Sequence, residues 1–341
     1  MNPLLIGAAL AFLHGCSLFG DDKAKEAAAQ AEARLMAGDL PGAADAYDQA
    51  VAEYGAQVDV ATGAAFMALQ RGRPADADRL LAQAEEDAGE RLPEVKMRRA
   101  LVAIEAGDLE AVKAHGMASG LPAGQLLAAE VALADGEREE ARGLLQQART
   151  AGGAIAELAD DYLDLLDDED PLVAGLSEAQ ALWALGLRKV AVKSVEEVLL
   201  NLPDSFEERD EQLLIWSGRA ATERETDIAR SLLDGLIFAP EGQQWRKIAT
   251  SALIACADGD GATCVSTLVS LEGQAPEDGL ADARATAALL IAADDPEAAR
   301  KLAGPYVSSA AARALLETGD RSSARESSPG GVIGSFLEAG G

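Results

Sequence analysis

The side chains of this 341-residue chain best suited to covalent or metal chemistry are three cysteines and two histidines. Cys16 stands alone near the start, while Cys256 and Cys264 flank a Gly259-Asp260 pair. With only His14 and His115 available, a two-histidine zinc site, a Ser-His-Asp triad and a haem-attachment motif are nearly excluded. Two acidic stretches have the composition of calcium ligands. The run from Asp160 to Asp170 lacks regular ligand spacing and reads as a solvated helix face. Asp258-Gly259-Asp260-Gly261 begins like a calcium loop, but the places that need Gly and Glu hold Thr263 and Val269. No glycine-rich phosphate loop, Cys-x-x-Cys pair or nucleophile elbow is present, so no enzymatic activity is expected.

The elements that hold these residues are helical by composition. Alanine supplies about a fifth of the chain, hydrophobic residues 49% and aromatics only 4%. Alanine favours helices, and strands need more β-branched and aromatic residues. The apolar fraction is enough to bury a core. Lys and Arg number 29 against 58 Asp and Glu, a formal charge of −29. That balance excludes a phosphate-backbone binder, so no nucleic acid is expected as a partner. No apolar stretch is long enough for an ordinary membrane-spanning helix.

The N-terminus reads as an address. Leu4 to Leu13 is an apolar run of signal-peptide length, followed by His14-Gly15-Cys16. Leu13, Gly15 and Cys16 resemble the bacterial lipobox. His14 stands where a small residue is usual, and no Lys or Arg precedes the apolar run. The resemblance implies a lipoprotein signal peptide over 1–15, lipidation of Cys16, and a tether over 16–25. Ser17 after the cysteine implies the outer membrane, with the chain facing the periplasm. The lipid on Cys16 is the one non-protein group expected, and it would hold the chain to the membrane.

A phrase then recurs along the chain: a small residue, a Gly-Asp-like turn, and a second small residue. Its copies read Ala31, Gly38-Asp39, Ala43; Ala65, Gly72-Arg73, Ala77; Ala100, Gly107-Asp108, Val112; and Ala129, Gly136-Glu137, Ala141. They continue with Ala179, Gly186, Ala191; Ser217, Arg224, Ala229; Ala252, Gly259-Asp260, Cys264; and Ala287, Asp294, Ala299. A degraded ninth has Ala312, Gly319-Asp320 and Ala324. The turns are 34, 35, 29, 50, 38, 35, 35 and 25 residues apart. Small residues let two helix backbones approach, and glycine ends the first helix.

The phrase and its period are similar to the tetratricopeptide repeat. Tyr47, Ala50, Pro203 and Pro276 also fall in that register, although the family's Trp, Leu-Gly and Tyr signature is largely missing. The resemblance implies an all-α solenoid of about nine antiparallel helical hairpins, with repeats over 26–150 and 176–326. The wide gap holds an extra helix and an acidic hinge over 151–175, ending at Pro171. A flexible tail with an apolar end covers 327–341 and serves as a cap or a docking peptide.

Cys256 and Cys264 lie symmetrically about their turn. An exported chain permits a disulfide there, stabilising by about 2–3 kcal/mol. The alternative is two small buried hydrophobes, since Cys264 takes the usual alanine place.

By the family's register, first helices line a concave surface. Its candidate binding residues are Met36, Phe66, Leu69, Met97, Leu101, Ile104, Leu126, Leu133, Trp183 and Leu253, with Glu32, Glu105 and Glu130 among them. Several of these are equally suited to packing between helices. Lys25, Arg246, Arg284 and Arg313 are scattered, so no carboxylate clamp forms. The expected partners are envelope proteins presenting apolar or basic segments. The role expected is a non-enzymatic interaction scaffold or assembly factor anchored to a bacterial envelope. The rivals are a surface-exposed scaffold, a cytoplasmic adaptor, and a peptidoglycan-acting accessory or enzyme. The last would need a compact lysozyme-like domain, for which the repeats leave no room.

Overall fold

A computed structural model describes residues 22–303, apart from 38, 169, 204–205, 207, 237–238 and 240–241. Cys16, the signal segment, the ninth hairpin and the tail lie outside the described residues. The chain is all-α. Its helices are α1 (Asp22–Met36), α2 (Leu40–Tyr54), α3 (Val58–Gln70), α4 (Pro74–Glu85), α5 (Leu92–Ala106), α6 (Leu109–Ser119), α7 (Pro122–Ala134), α8 (Arg138–Ala148) and α9 (Gly153–Asp167). They continue as α10 (Pro171–Ala184), α11 (Arg188–Asn201), α12 (Arg209–Thr222), α13 (Thr226–Gly235), α14 (Gln244–Ala257), α15 (Gly261–Ser270), α16 (Glu277–Ile291) and α17 (Pro296–Ala303).

The small residues of the repeat explain the pairing. Ala31, Ala65, Ala100, Ala129, Ala179, Ser217, Ala252 and Ala287 sit on first helices and are at most 1% exposed. Their counterparts Ala43, Ala77, Val112, Ala141, Ala191, Ala229, Cys264 and Ala299 are fully buried. In the sixth hairpin the two positions are bonded directly: Ser217 Oγ donates to the Ala229 carbonyl at 2.6 Å. Closer approach still occurs between α6 and α7, where Gly116 and Gly124 pack backbone to backbone.

Six of the turns share one hydrogen-bond pattern. Gly72, Gly107, Gly136, Gly186, Arg224 and Gly259 have φ from 60° to 88°. The amide of each bonds back three residues at 2.9–3.1 Å, and the next amide bonds back five at 2.7–3.0 Å. This is the helix-ending motif that a left-handed residue allows, and glycine pays no Cβ penalty there. Arg224 departs from glycine, and its guanidinium reaches the Leu290 carbonyl at 2.6 Å. The eighth turn closes differently: the Asp294 and Asp295 amides both bond to the Ile291 carbonyl, at 3.0 and 2.8 Å. Where aspartate opens the second helix, it caps it. Asp39, Asp108, Asp260 and Asp295 accept the amides of Gly42, Ala111, Thr263 and Ala298 at 2.9–3.1 Å.

The contacts divide the chain into two units, one ending at Leu187 and one beginning at Arg188. In the first, α1/α2, α3/α4, α5/α6 and α7/α8 are hairpins, and each first helix packs on the next. The extra helix expected over 151–175 is α9, packed on α8 and α10, while α10 reaches past it to α7. As expected, the extra helix ends before Pro171, at Asp167; Pro171 opens α10, and Asp170 caps that helix by accepting the Leu172 amide at 2.8 Å. In the second unit, α12/α13, α14/α15 and α16/α17 are hairpins, and α11 packs on α12 and α13.

Candidate binding surface

The residues expected on a ligand-facing row divide by burial. Phe66 is 1% and Leu133 0% exposed, so they are core, and their assignment to a binding surface is corrected. The physical reason is the stacking itself: nine residues in a row of α3, from Val60 to Ala68, are buried, and α7 is buried from Leu126 to Leu133. A first helix enclosed on all sides has no apolar face to spare. Leu126, Leu253 and Ile104 are 8%, 8% and 9% exposed and belong to the same packing. Leu69, Met97, Leu101 and Trp183 are half-buried, with Leu69 packed beside α3 and α4 core residues, and Met97 and Leu101 beside the α5–α7 core. The Met36 side chain lies outside the described residues. Glu32 is half-buried and Glu105 exposed, whereas Glu130 is only 4% exposed.

Glu130 sits in the core between α7 and α9, and Tyr162 Oη donates to its carboxyl at 3.2 Å. Burial pushes the Glu130 carboxyl up to about 7, against the lowering effect of the Tyr162 hydrogen bond. A group with this affinity for protons suits acid–base work, but one so enclosed cannot meet a substrate. Tyr47, packed over Gly63, has its phenol pushed well above the ordinary range, first by burial and then by Glu32 and Asp59.

The cations of this acidic chain serve largely as internal ties. Arg91, immediately before α5, bonds Asp59 of α3 at 2.6 Å. Arg99 bonds Asp78 and Glu85 of α4 at 2.7 and 2.8 Å, and Lys96 adds a second bond to Glu85. Burial raises the Glu85 carboxyl, but the hydrogen bonds from Lys96 and Arg99 outweigh it and hold the group below the usual range. Lys113 of α6 reaches Glu137 and Glu140 at 2.7 and 2.8 Å, and Arg138 of α8 reaches Glu178 of α10 at 2.8 Å. In the second unit Arg246 bonds Glu211, and Arg284 bonds Glu272 and the Leu268 carbonyl.

One cationic group was not anticipated from the sequence. Arg71, Arg73 and Arg79 line a cavity of about 150 Å³ with Asp48 and Asp76, at the junction of α2, α3 and α4. The signal available was three arginines close in sequence, without any indication that they share one opening.

Cys256 and Cys264 form a disulfide across the α14–α15 turn, with a Cα–Cα distance of 5.2 Å. They are also core residues, 1% and 0% exposed. Among the described residues, no group of three or more His, Cys, Asp or Glu is placed to hold a metal. No helix there is long and apolar enough to cross a membrane.

No protein-family model matches the chain, and no curated protein matches it. Among solved structures, the crystal structure of the TPR domain of P58(IPK) aligns over 93% of this chain and 97% of its own, at 13% identity and a TM-score of 0.22. What can be said of the fold therefore comes from the hairpins themselves: an all-α chain of stacked antiparallel helix pairs.

Proposed function

We propose that this chain is a non-enzymatic scaffold for other proteins, anchored by lipid on Cys16 to the outer membrane of a bacterial envelope and facing the periplasm. The observation that carries the scaffold reading is the repetition: small residues in the same register close four successive helix pairs in the first unit and three in the second. Stacks of this kind spend their sequence on extended surface rather than on an enclosed reaction site. The internal use of cations supports the choice of partner. With Arg91, Arg99, Lys113, Arg138, Arg246 and Arg284 tied to carboxylates, the outward charge is dominated by the surplus of acids. Such a surface suits basic or apolar segments of envelope proteins.

The test is metabolic labelling with a clickable fatty acid, comparing wild type with Cys16→Ala, followed by membrane fractionation and crosslinking of whole cells. Label and outer-membrane recovery that vanish in the variant support the anchor, and crosslinked envelope proteins rich in basic or apolar segments support the scaffold. An unlabelled, soluble wild type overturns the anchor in favour of a cytoplasmic adaptor. Cleavage of purified sacculi by the chain would overturn the non-enzymatic part.

A further inference from the structure

The sixth and eighth turns are each irregular, and the two irregularities meet. In Gly72, Gly107, Gly136, Gly186 and Gly259 a glycine takes the left-handed place, and the amide after it bonds back five residues into the first helix. The sixth turn puts Arg224 there instead, at φ 60°, where a Cβ is strained. In the eighth turn Asp294 stands in that register, and its amide bonds back three residues to Ile291, as the pattern requires. By the same pattern the next amide, that of Asp295, would bond to the Leu290 carbonyl; it bonds to Ile291 at 2.8 Å instead. The carbonyl passed over in this way receives the Arg224 guanidinium at 2.6 Å. Arg224 also lies 4.0 Å from the Asp294 carboxylate.

This link skips a hairpin. Arg224 follows α12, Leu290 lies in the last turn of α16, and α14/α15 stand between them in the chain. Stacked helix pairs ordinarily act only on their neighbours, so each can open without the next but one. The last carbonyls of a helix lack amide partners within it, and a guanidinium supplies one with a charge-assisted donor. The seventh hairpin has ties of its own: Arg230 of α13 pairs with Asp258 at its turn, and the Cys256–Cys264 bond joins its two helices. The sixth is thus tied to the seventh by Arg230 and to the eighth by Arg224.

We propose that Arg224 is a strap: it completes the eighth turn from two hairpins away, so that the sixth, seventh and eighth hairpins open together. Glycine would relax the sixth turn but could not reach Leu290, and the reach is what the strained backbone is kept for. Whatever loosens the eighth hairpin then loosens the sixth, and the reverse follows by reciprocity. The inference goes beyond the scaffold reading and rests on neither the membrane anchor nor the basic partners proposed above.

The experiment is native-state hydrogen exchange on the full chain, comparing the parent with Arg224→Gly. In the parent, the Glu225 and Ala229 amides of the sixth hairpin and the Asp295 and Ala299 amides of the eighth should exchange through one shared opening, with the same dependence on added urea. In Arg224→Gly the Asp295 and Ala299 amides should exchange at least about tenfold faster, while the Glu225 and Ala229 amides keep their protection because the glycine turn is unstrained. Arg224→Asn is the second variant and decides the matter should the first fail to fold. Asparagine tolerates the left-handed place but is too short to reach Leu290, so the same split is expected. Unchanged exchange at Asp295 and Ala299 in a folded variant overturns the proposal. Acceleration of both hairpins by one common factor overturns it as well, since Arg224 would then act on overall stability alone.

Discussion

The Tyr162 hydroxyl donates to the Glu130 carboxyl at 3.2 Å, joining the extra helix α9 to the first-helix row at α7. The acid sits in a core of alanines and leucines, and burial raises it to about 7. In the unfolded chain it would titrate near the ordinary value of 4.5. Between those values the folded chain holds more protons than the unfolded one, so stability falls as pH rises. The contribution is fully present below about pH 4.5 and is lost as pH passes about 7. Glu130→Gln should therefore stabilise the chain at pH 8, by something on the order of 3 kcal/mol, and leave it nearly unchanged at pH 4. Urea melts at the two pH values check this. Equal effects at both would show that Glu130 does not titrate in this range.

Gly124 and Gly143 should respond oppositely to alanine. A methyl on Gly124 would lie 2.2 Å from Ser119 Oγ and 2.4 Å from the Gly116 carbonyl oxygen, and the latter is backbone that cannot rotate away. The cost of overpacking, about 1–3 kcal/mol, exceeds the helix gain of about 0.5–1 kcal/mol. Gly143 in α8 has nothing within 4 Å of an added methyl, so only the gain remains. Thermal melts should show Gly124→Ala below and Gly143→Ala above the parent.

Arg224 offers a test of the turn itself. Arg224→Gly and Arg224→Ala both lose the bond to the Leu290 carbonyl, but alanine keeps a Cβ at φ 60°. The glycine variant should be the more stable of the two by about 1 kcal/mol. Equal stabilities would mean that the turn does not hold its left-handed geometry once the arginine is gone.

The Cys256–Cys264 bond closes a sequence separation of 8 residues. Replacing both cysteines by alanine should cost about 2–3 kcal/mol, read as the difference in denaturation midpoint under oxidising conditions. The two proteins should converge when unfolded and refolded with a thiol reductant. No difference under oxidising conditions would leave the cysteines as packing residues alone.

Much of this architecture was readable because its cause is local and repeated. Ala65, Gly72 and Ala77 mark a helix, its end and its partner, since a crossing that tolerates only small side chains writes the same residues each time. Phe66 and Leu133 were misplaced for the opposite reason. Register tells which helix a residue occupies, whereas the depth of stacking, which leaves α3 and α7 enclosed, depends on neighbours far along the chain. The end of the extra helix was legible because Pro171 cannot continue α9, while Asp170 and Pro171 are good residues for starting α10. The arginine groove was hidden because Arg71 closes one helix while Arg73 and Arg79 belong to the next, and Asp48 comes from a third.

The use of cations as ties between helices has a further consequence for the solution around the molecule. Positive side chains committed inside each unit cannot neutralise the remaining carboxylates, so that task falls to dissolved counterions. The surrounding electrolyte becomes part of the folded state. Exposed ties weaken with salt by at most about 1 kcal/mol each, while the self-repulsion of a chain at −29 is relieved by the same ions. Moderate salt should then tighten this protein, and very dilute buffer should loosen it.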